Sequence, residues 1–334
     1  MIRVAIIGCG AWGLNQVRAF VAEPRCTVMY ICDPNLLASS RGAAITNGIA
    51  TSDSYANILA SGQIDAIVIA TPAPSHAQLA LAAIAAGKHV LIEKPMAMTL
   101  ADGILLADAA ATSQRTVMVG HLMVYHPVVF RLRAMLASGE LGALHYLLAS
   151  RVNLGRIRRD ENALWSFGPH DLSMIDYLMQ EMPISVSARG QCVLQRGIED
   201  VVFLTLRFTN GEMAHLHLSW LHPRKERRLT LVCAQKMVEF DDVATDKLRI
   251  YDKGYDRPSN FTYFDEYLTL RDGDVHIPQL SMEEPLRIQT RHFIDCVMTG
   301  AAPRTDVASG LRVTRILDAA QRSLQLDGIP VPIP

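Results

Sequence analysis

Gly8-Cys9-Gly10-Ala11-Trp12-Gly13 sets three glycines at the spacing G-x-G-x-x-G, directly after the β-branched run Arg3 to Ile7 and at the opening of a helical pattern. A turn of this kind brings bare backbone and the positive end of a helix up to a pyrophosphate. Gly8 permits the tight turn, Gly10 lets backbone approach the phosphates and Gly13 lets the helix lie close to the strand, while Ala11 and Trp12 supply the first helical N–H groups. Asp33 ends the next strand about 20 residues on, where a carboxylate accepts from the adenine-ribose hydroxyls and repels a 2′-phosphate. Together these residues imply a bound nicotinamide dinucleotide, NAD in preference to NADP. A glycine-rich turn of some other α/β protein is the bland alternative.

Two further residues have types suited to moving a proton. Lys94, in Glu93-Lys94-Pro95, follows the run His89 to Ile92. The carboxyl ends of strands face the cofactor crevice in a doubly wound sheet, and an ammonium there can donate to a developing alkoxide or relay a proton. Read alone, Lys94 could equally be a surface lysine stiffened by Pro95. His170 lies in Trp165-Ser166-Phe167-Gly168-Pro169-His170-Asp171. Placed in the first turn of a helix, its imidazole would be kept in the neutral form that accepts a proton from a hydroxyl. An ordinary core or surface histidine is the competing reading. Arg151, Arg156, Arg158 and Arg159 precede it, and Arg224, Lys225, Arg227 and Arg228 form a second basic stretch. Arginine forks suit a diphosphate; solvated loops balanced by Asp160, Glu161 and Glu226 are the alternative.

The elements that must carry these residues fall into two parts. Up to about Gly120, short β-branched runs (Arg3 to Ile7, Thr27 to Cys32, Ala66 to Ala70, His89 to Ile92, Thr116 to Val119) alternate with helical stretches starting near Trp12, Pro34, Ser54, Ser75 and Thr99. That alternation reads as βα units and a parallel sheet. Beyond it a helix from Pro127 to Ser138 leads into alternating strands: Leu144 to Val152, Ile184 to Leu194, Val201 to Phe208, Met213 to Trp220, Arg228 to Cys233 and Lys247 to Tyr251. Asn210-Gly211 marks a hairpin with a type I′ turn. Helices from Glu284 to Thr299 and Val307 to Leu326 close the chain. The expectation is an α/β protein: a Rossmann parallel sheet over 1–120, and over 121–334 an α+β domain with an open, largely antiparallel sheet that binds substrate and assembles the oligomer.

Glu93-Lys94-Pro95, with Ala70-Thr71-Pro72, His76 and Gly87-Lys88-His89-Val90, resembles the glucose-fructose oxidoreductase/inositol dehydrogenase family (Gfo/Idh/MocA). The resemblance runs through the whole Rossmann half. It implies that Lys94 acts beside the nicotinamide, that Thr71, Pro72 and His76 line the cofactor channel, that Glu93 contacts or orients the cofactor, and that His170 is the general base. Many members carry Asp four residues before that histidine; Ser166 stands there in this chain. Gly120 to Pro127, Arg151 to His170 and Ser219 to Pro223 look like the subgroup that oxidises the 3-hydroxyl of UDP-N-acetylglucosamine or its uronic acid. In that subgroup the product feeds an aminotransferase, in lipid A or surface-polysaccharide synthesis. Carried over, Lys94, Tyr125, His126, Asn153, Arg156, Arg158, Arg159, Trp165 and His170 would contact the UDP-sugar, and the chain would form a dimer or tetramer. A free sugar or inositol as substrate, or a non-catalytic NAD-binding redox sensor, are the competing functions.

The chain of 334 residues has 32 Lys and Arg against 33 Asp and Glu, so it lacks the field that nucleic-acid or membrane-surface binding requires. Cys9, Cys26, Cys32, Cys192, Cys233 and Cys296 are scattered without a C-x-x-C pair, which fits reduced thiols in a cytoplasm. No apolar run reaches membrane-spanning length, and the N-terminus has no signal-peptide pattern. His215 and His217 share a strand face, but no carboxylate or cysteine spacing completes a metal site, so none is expected.

Overall fold

A computed structural model describes residues 1–155, 157–256 and 268–334. The chain divides into two compact units, Met1–Tyr125 with Glu283–Thr314, and His126–Met282 with Arg315–Pro334.

In the first unit, β1 (Ile2–Ile7), α1 (Ala11–Val21), β2 (Cys26–Cys32), α2 (Leu36–Ala43), β3 (Ala50–Ser52), α3 (Tyr55–Ala60), β4 (Ala66–Ile69), α4 (His76–Ala85), β5 (His89–Glu93), α5 (Leu100–Thr112) and β6 (Val117–Gly120) follow in turn. The six strands form a parallel sheet in the order β3-β2-β1-β4-β5-β6. Strand order reverses between β1 and β4, so a crevice opens at their carboxyl ends. β4 and the middle of β5 are apolar throughout and fully buried, as a sheet covered on both faces demands.

The chain later returns to this unit. The amphipathic helix α8 (Pro285–Thr299) sets Phe293 edge-on against Phe20 of α1, with ring centroids 6.1 Å apart, and the Thr305 carbonyl accepts from the Val119 N–H of β6 while the Thr305 hydroxyl donates to the Val119 carbonyl. Residues 283–314 therefore group with the Rossmann sheet, where the sequence pattern ran a second domain unbroken from 121 to 334.

The second unit holds α6 (Pro127–Ala137), β7 (Leu144–Leu154), α7 (Ala163–Met179), β8 (Ser185–Gln191), β9 (Val201–Arg207), β10 (Met213–Ser219), β11 (Leu221–Cys233), β12 (Met237–Asp241), β13 (Leu248–Asp256) and β14 (Thr269–His276). The later part of α9 (Val307–Gln325) and β15 (Val331–Pro332) complete it. Its sheet runs β14-β13-β12-β11-β7-β10-β9-β8-β15, antiparallel except for the parallel pair β7 and β10. Alternation fixes its two faces: Leu204, Leu206, Leu216 and Leu218 are buried, whereas Phe203, Met213 and His215 face outward.

The hairpin at Asn210-Gly211 forms, but not with a type I′ turn. Gly211 alone of the two has positive φ, +97°; its N–H meets the Phe208 carbonyl and the Phe208 N–H meets that of Glu212. This is a three-residue loop closed by a glycine bulge, which needs only one left-handed residue. The stretch Pro223 to Arg228 lies inside β11, at an irregularity between Leu221 and Glu226. Among the described residues, no helix is long and apolar enough to cross a membrane.

Candidate active site

The glycine turn has the geometry that its sequence requires. Gly8 sits at φ +88°, and a Cβ there would lie 2.8 Å from the backbone of Ala70 and Thr71; a Cβ on Gly13 would strike the Gly8 carbonyl oxygen at 2.1 Å. A Cβ on Gly10 would meet nothing within 4 Å, which leaves room for a ligand against the backbone. α1 starts without a side-chain cap and without an acidic residue in its first turn, so the N–H groups that follow Gly10 suit an anion. Asp33 grips this turn: its Oδ2 accepts from the Cys9 N–H at 2.7 Å and its Oδ1 from the Asn35 N–H at 2.8 Å. Each carboxylate oxygen keeps a lone pair for a ribose hydroxyl. These groups fit a dinucleotide.

Glu93 and Lys94 stand at the end of β5, two strands from β1 across β4. The Glu93 carboxylate is buried and accepts from the indole N–H of Trp12, from Gln16 Nε2 at 2.5 Å and from the Lys94 N–H at 3.2 Å. Burial raises its pKa above the usual carboxylate range, against the pull of the Trp12 and Gln16 donors. Glu93 pairs with Gly120 across β5 and β6, where a Cβ would come within 3.0 Å of Glu93 Oε2. Sequence reasoning missed Gln16 and Gly120. The i, i+4 spacing of Trp12 and Gln16, which puts both on one face of α1, was the available signal for the former.

The register also sets Lys94 and His121 at neighbouring strand ends. Buried His121 has its pKa pushed down to about 3 by desolvation, with Lys94 and Arg312 as further contributors.

Several expected contacts prove to be internal. His76 is buried, with Nδ1 2.8 Å from the Pro95 carbonyl oxygen and Nε2 2.8 Å from that of Thr71, so it ties two turns together and does not line a channel. Thr71 is half-buried and Pro72 exposed at the crevice, the Thr71 hydroxyl sharing a 2.7 Å bond with Ser75. Tyr125 is fully buried; its hydroxyl bonds Thr305 Oγ1 at 2.9 Å, which removes it from any substrate. His126 caps α6 by accepting the Val128 N–H and packs on Phe240, so it too is spoken for.

In the second unit, Asn162 caps α7 through the Trp165 N–H, and the helix begins at Ala163. His170 therefore lies two turns inside the helix, half-buried, not in the first turn, and the helix-end argument for its neutral form does not hold there. Pro169, inside the helix, removes the N–H that the Trp165 carbonyl would accept. Trp165 is buried and donates Nε1 to Gln321 at 3.1 Å, so its role is structural.

The arginine cluster divides. Arg151 is internal, paired to Asp171. Arg158 lies 3.4 Å from Glu161, Arg159 is exposed, Asn153 is half-buried, and Arg156 falls outside the described residues. In the second basic stretch, Arg227 pairs with Asp242 and Arg228 with Glu239 and Asp241. His215 and His217 stack on Phe203, and among the described residues no three His, Cys, Asp or Glu side chains gather as a metal site.

A glycine turn under a bare helix start, an acidic residue that grips the turn and a lysine at a nearby strand end define a dinucleotide-dependent oxidoreductase. Residues 2–121 match the model of the oxidoreductase family with an NAD-binding Rossmann fold, and residues 129–239 match that of the GFO/IDH/MocA C-terminal domain. The chain belongs to the GFO/IDH/MocA oxidoreductase family, and its first sheet is an NAD-binding Rossmann domain.

A protein of Magnetospirillum magnetotacticum, solved as a candidate oxidoreductase, is 30% identical with a TM-score of 0.81, covering 95% of this chain and 99% of its own. UDP-N-acetylglucosamine 3-dehydrogenase GnnA from Acidithiobacillus ferrooxidans shares the fold with a TM-score of 0.81 at 22% identity, over 98% of both chains. Inositol 2-dehydrogenase 2 of Saccharopolyspora erythraea is 25% identical over 224 residues, 65% of this chain and 66% of that protein. The chain spans 62% to 66% of the length of the first curated relatives it matches.

Proposed function

We propose that the protein oxidises a secondary hydroxyl of a sugar with NAD as electron acceptor, and that the substrate is a UDP-linked N-acetylated sugar, UDP-N-acetylglucosamine, attacked at its 3-hydroxyl. The observation that carries the redox half is the Asp33 carboxylate bonded into the glycine turn beside an open Gly10, with Lys94 at the end of β5. When bound, NAD supplies the acceptor for the hydride that leaves C3 with its electron pair. His170 takes the hydroxyl proton, and Lys94 donates to the oxygen as the carbonyl forms. Arg158 and Arg159 bind the diphosphate.

The 3-keto product has the chemistry that an aminotransferase consumes. The likeness in fold to the UDP-N-acetylglucosamine 3-dehydrogenase supports this substrate. Withdrawal of Arg151 into an ion pair and the similarity to an inositol 2-dehydrogenase favour a second reading, a free sugar or polyol.

Following NADH absorbance with UDP-N-acetylglucosamine, its uronic acid, N-acetylglucosamine and myo-inositol separates the two. Turnover that depends on the UDP group supports the first reading. Equal turnover without it returns Arg158 and Arg159 to solvated surface, and NAD binding without reduction by any of these compounds favours a sensor.

A further inference from the structure

The backbone around Lys94 is held from both sides. Upstream, Glu93 is bound by Trp12 and Gln16 of α1. Downstream, the Pro95 carbonyl oxygen lies 2.8 Å from Nδ1 of His76, whose Nε2 is 2.8 Å from the Thr71 carbonyl oxygen. The ring is 1% exposed, so it meets neither cofactor nor substrate directly. A carbonyl only accepts and a neutral ring carries one N–H, so the tautomer decides which carbonyl is bonded, and the Nδ1–H form bonds Pro95. Thr71 belongs to the turn on which Gly8 packs, with the Gly8 Cβ position 2.8 Å from Thr71 N. His76 thus touches both the turn that backs the phosphate loop and the turn that carries Lys94.

We propose that His76 is a positioning residue for the reaction: its Nδ1–H bond to the Pro95 carbonyl fixes the backbone that follows Lys94, and with it the place of the ammonium. This rests on the reading of Lys94 given above. The reason for expecting an effect on rate is geometric. A displacement of about 1 Å at a reacting group costs about 100-fold in turnover, whereas the phosphate loop does not depend on the Pro95 contact.

Three substitutions separate the two ends of the ring. Asparagine carries its amide near the place of Nδ1, glutamine carries it near the place of Nε2, and phenylalanine keeps the bulk with no donor. H76Q and H76F should lose about 100-fold in turnover, H76N should keep at least about tenfold more than H76Q, and NAD affinity should stay within about threefold in H76Q, which keeps a group at the Thr71 contact. The accessibility of Lys94 is read separately, without substrate, from its rate of reductive methylation by peptide mass spectrometry. That rate should change in H76Q and H76F and stay near the parent value in H76N.

Equal turnover and equal methylation across the variants would overturn the proposal, as would better function with glutamine than with asparagine. Failure of H76N to fold, judged by its circular dichroism melt, would also overturn it, because the clamp would then serve the whole fold. If K94A keeps full turnover, the reading of Lys94 fails, and the methylation rates alone decide whether His76 holds that segment.

Discussion

Arg151 and Asp171 form a two-point ion pair inside the second unit, Nε to Oδ2 at 2.6 Å and Nη2 to Oδ1 at 3.1 Å, with side chains 6% and 2% exposed. The pair ties β7 to α7 at the residue next to His170. Removing one partner leaves a buried charge alone, so R151M should lower the unfolding free energy by about 3–5 kcal/mol in urea titration. The double variant R151M/D171L should recover part of that loss. R151K keeps the charge but not the fork, and should fall between parent and R151M. A loss below about 1 kcal/mol in R151M would mean that water reaches the site.

Asp33 has two tasks on the proposed reading, since the oxygens that bind the Cys9 and Asn35 N–H groups would also meet the ribose. NADP should be used far less efficiently than NAD. D33S should raise the NADP-to-NAD efficiency ratio by about one to two decades, while also weakening NAD because the glycine turn loses an acceptor. Equal efficiency with both cofactors in the parent protein would refute the first part.

Kinetics should sort the candidate site residues into two groups. Lys94→Ala and His170→Ala should each lower turnover by about two to four decades with NAD affinity nearly unchanged, because on the proposed reading both act only as the proton moves. Arg158→Ala and Arg159→Ala should raise the Michaelis constant for a UDP-sugar by about one to two decades and affect turnover less, since a remote phosphate contact is made in ground and transition states alike. Initial-rate measurements over substrate concentration read both parameters at once.

The residues legible in advance are those whose local chain geometry names them. Gly8, Gly10, Gly13 and Asp33 are placed by a turn and a strand end, and the shared strand face of His215 and His217 by period-two alternation. His76, Tyr125 and His126 were misread because residue type does not report burial: each had a polar atom suited to a ligand, and each turned out to bond an internal partner instead. His170 was displaced because Pro169 ordinarily marks a helix start, yet α7 tolerates it in its interior. The pairing of Arg151 with Asp171 joins elements 20 residues apart, which no local pattern encodes.

Acid should weaken the fold through its buried histidines. Burial lowers the pKa of His126 to about 4, with Asp242 partly opposing, and that of His121 to about 3. The unfolded chain therefore binds protons first as pH falls from 6.5, so the stabilisation is complete above that value and is lost on the way down toward 4 and 3. His126→Asn keeps an acceptor for the Val128 N–H at the cap but does not titrate. Between pH 7 and pH 5 it should lose about 2 kcal/mol less stability than the parent protein in denaturant titrations. Equal losses would mean that His126 does not titrate with folding.

The last prediction concerns the outward face of the second sheet. Tyr146 and Met213 pair across β7 and β10, Leu148 pairs with His215, and His217 pairs with Phe203 on β9, so all six side chains share one face. Tyr146, Leu148, Phe203 and Met213 are 39% to 46% exposed, while alternate residues on the same strands are fully buried. Adjacent large apolar groups on a sheet are costly to leave in water, and a second copy of the chain can cover them with the same face by a two-fold axis. The protein should be a homodimer or tetramer at micromolar concentration. L148E or F203E should dissociate it at least to smaller species, because each puts a charge at the centre of the covered area. Light scattering reads the mass. A monomeric parent protein, or variants with the parent's mass, would show that this face is not the interface.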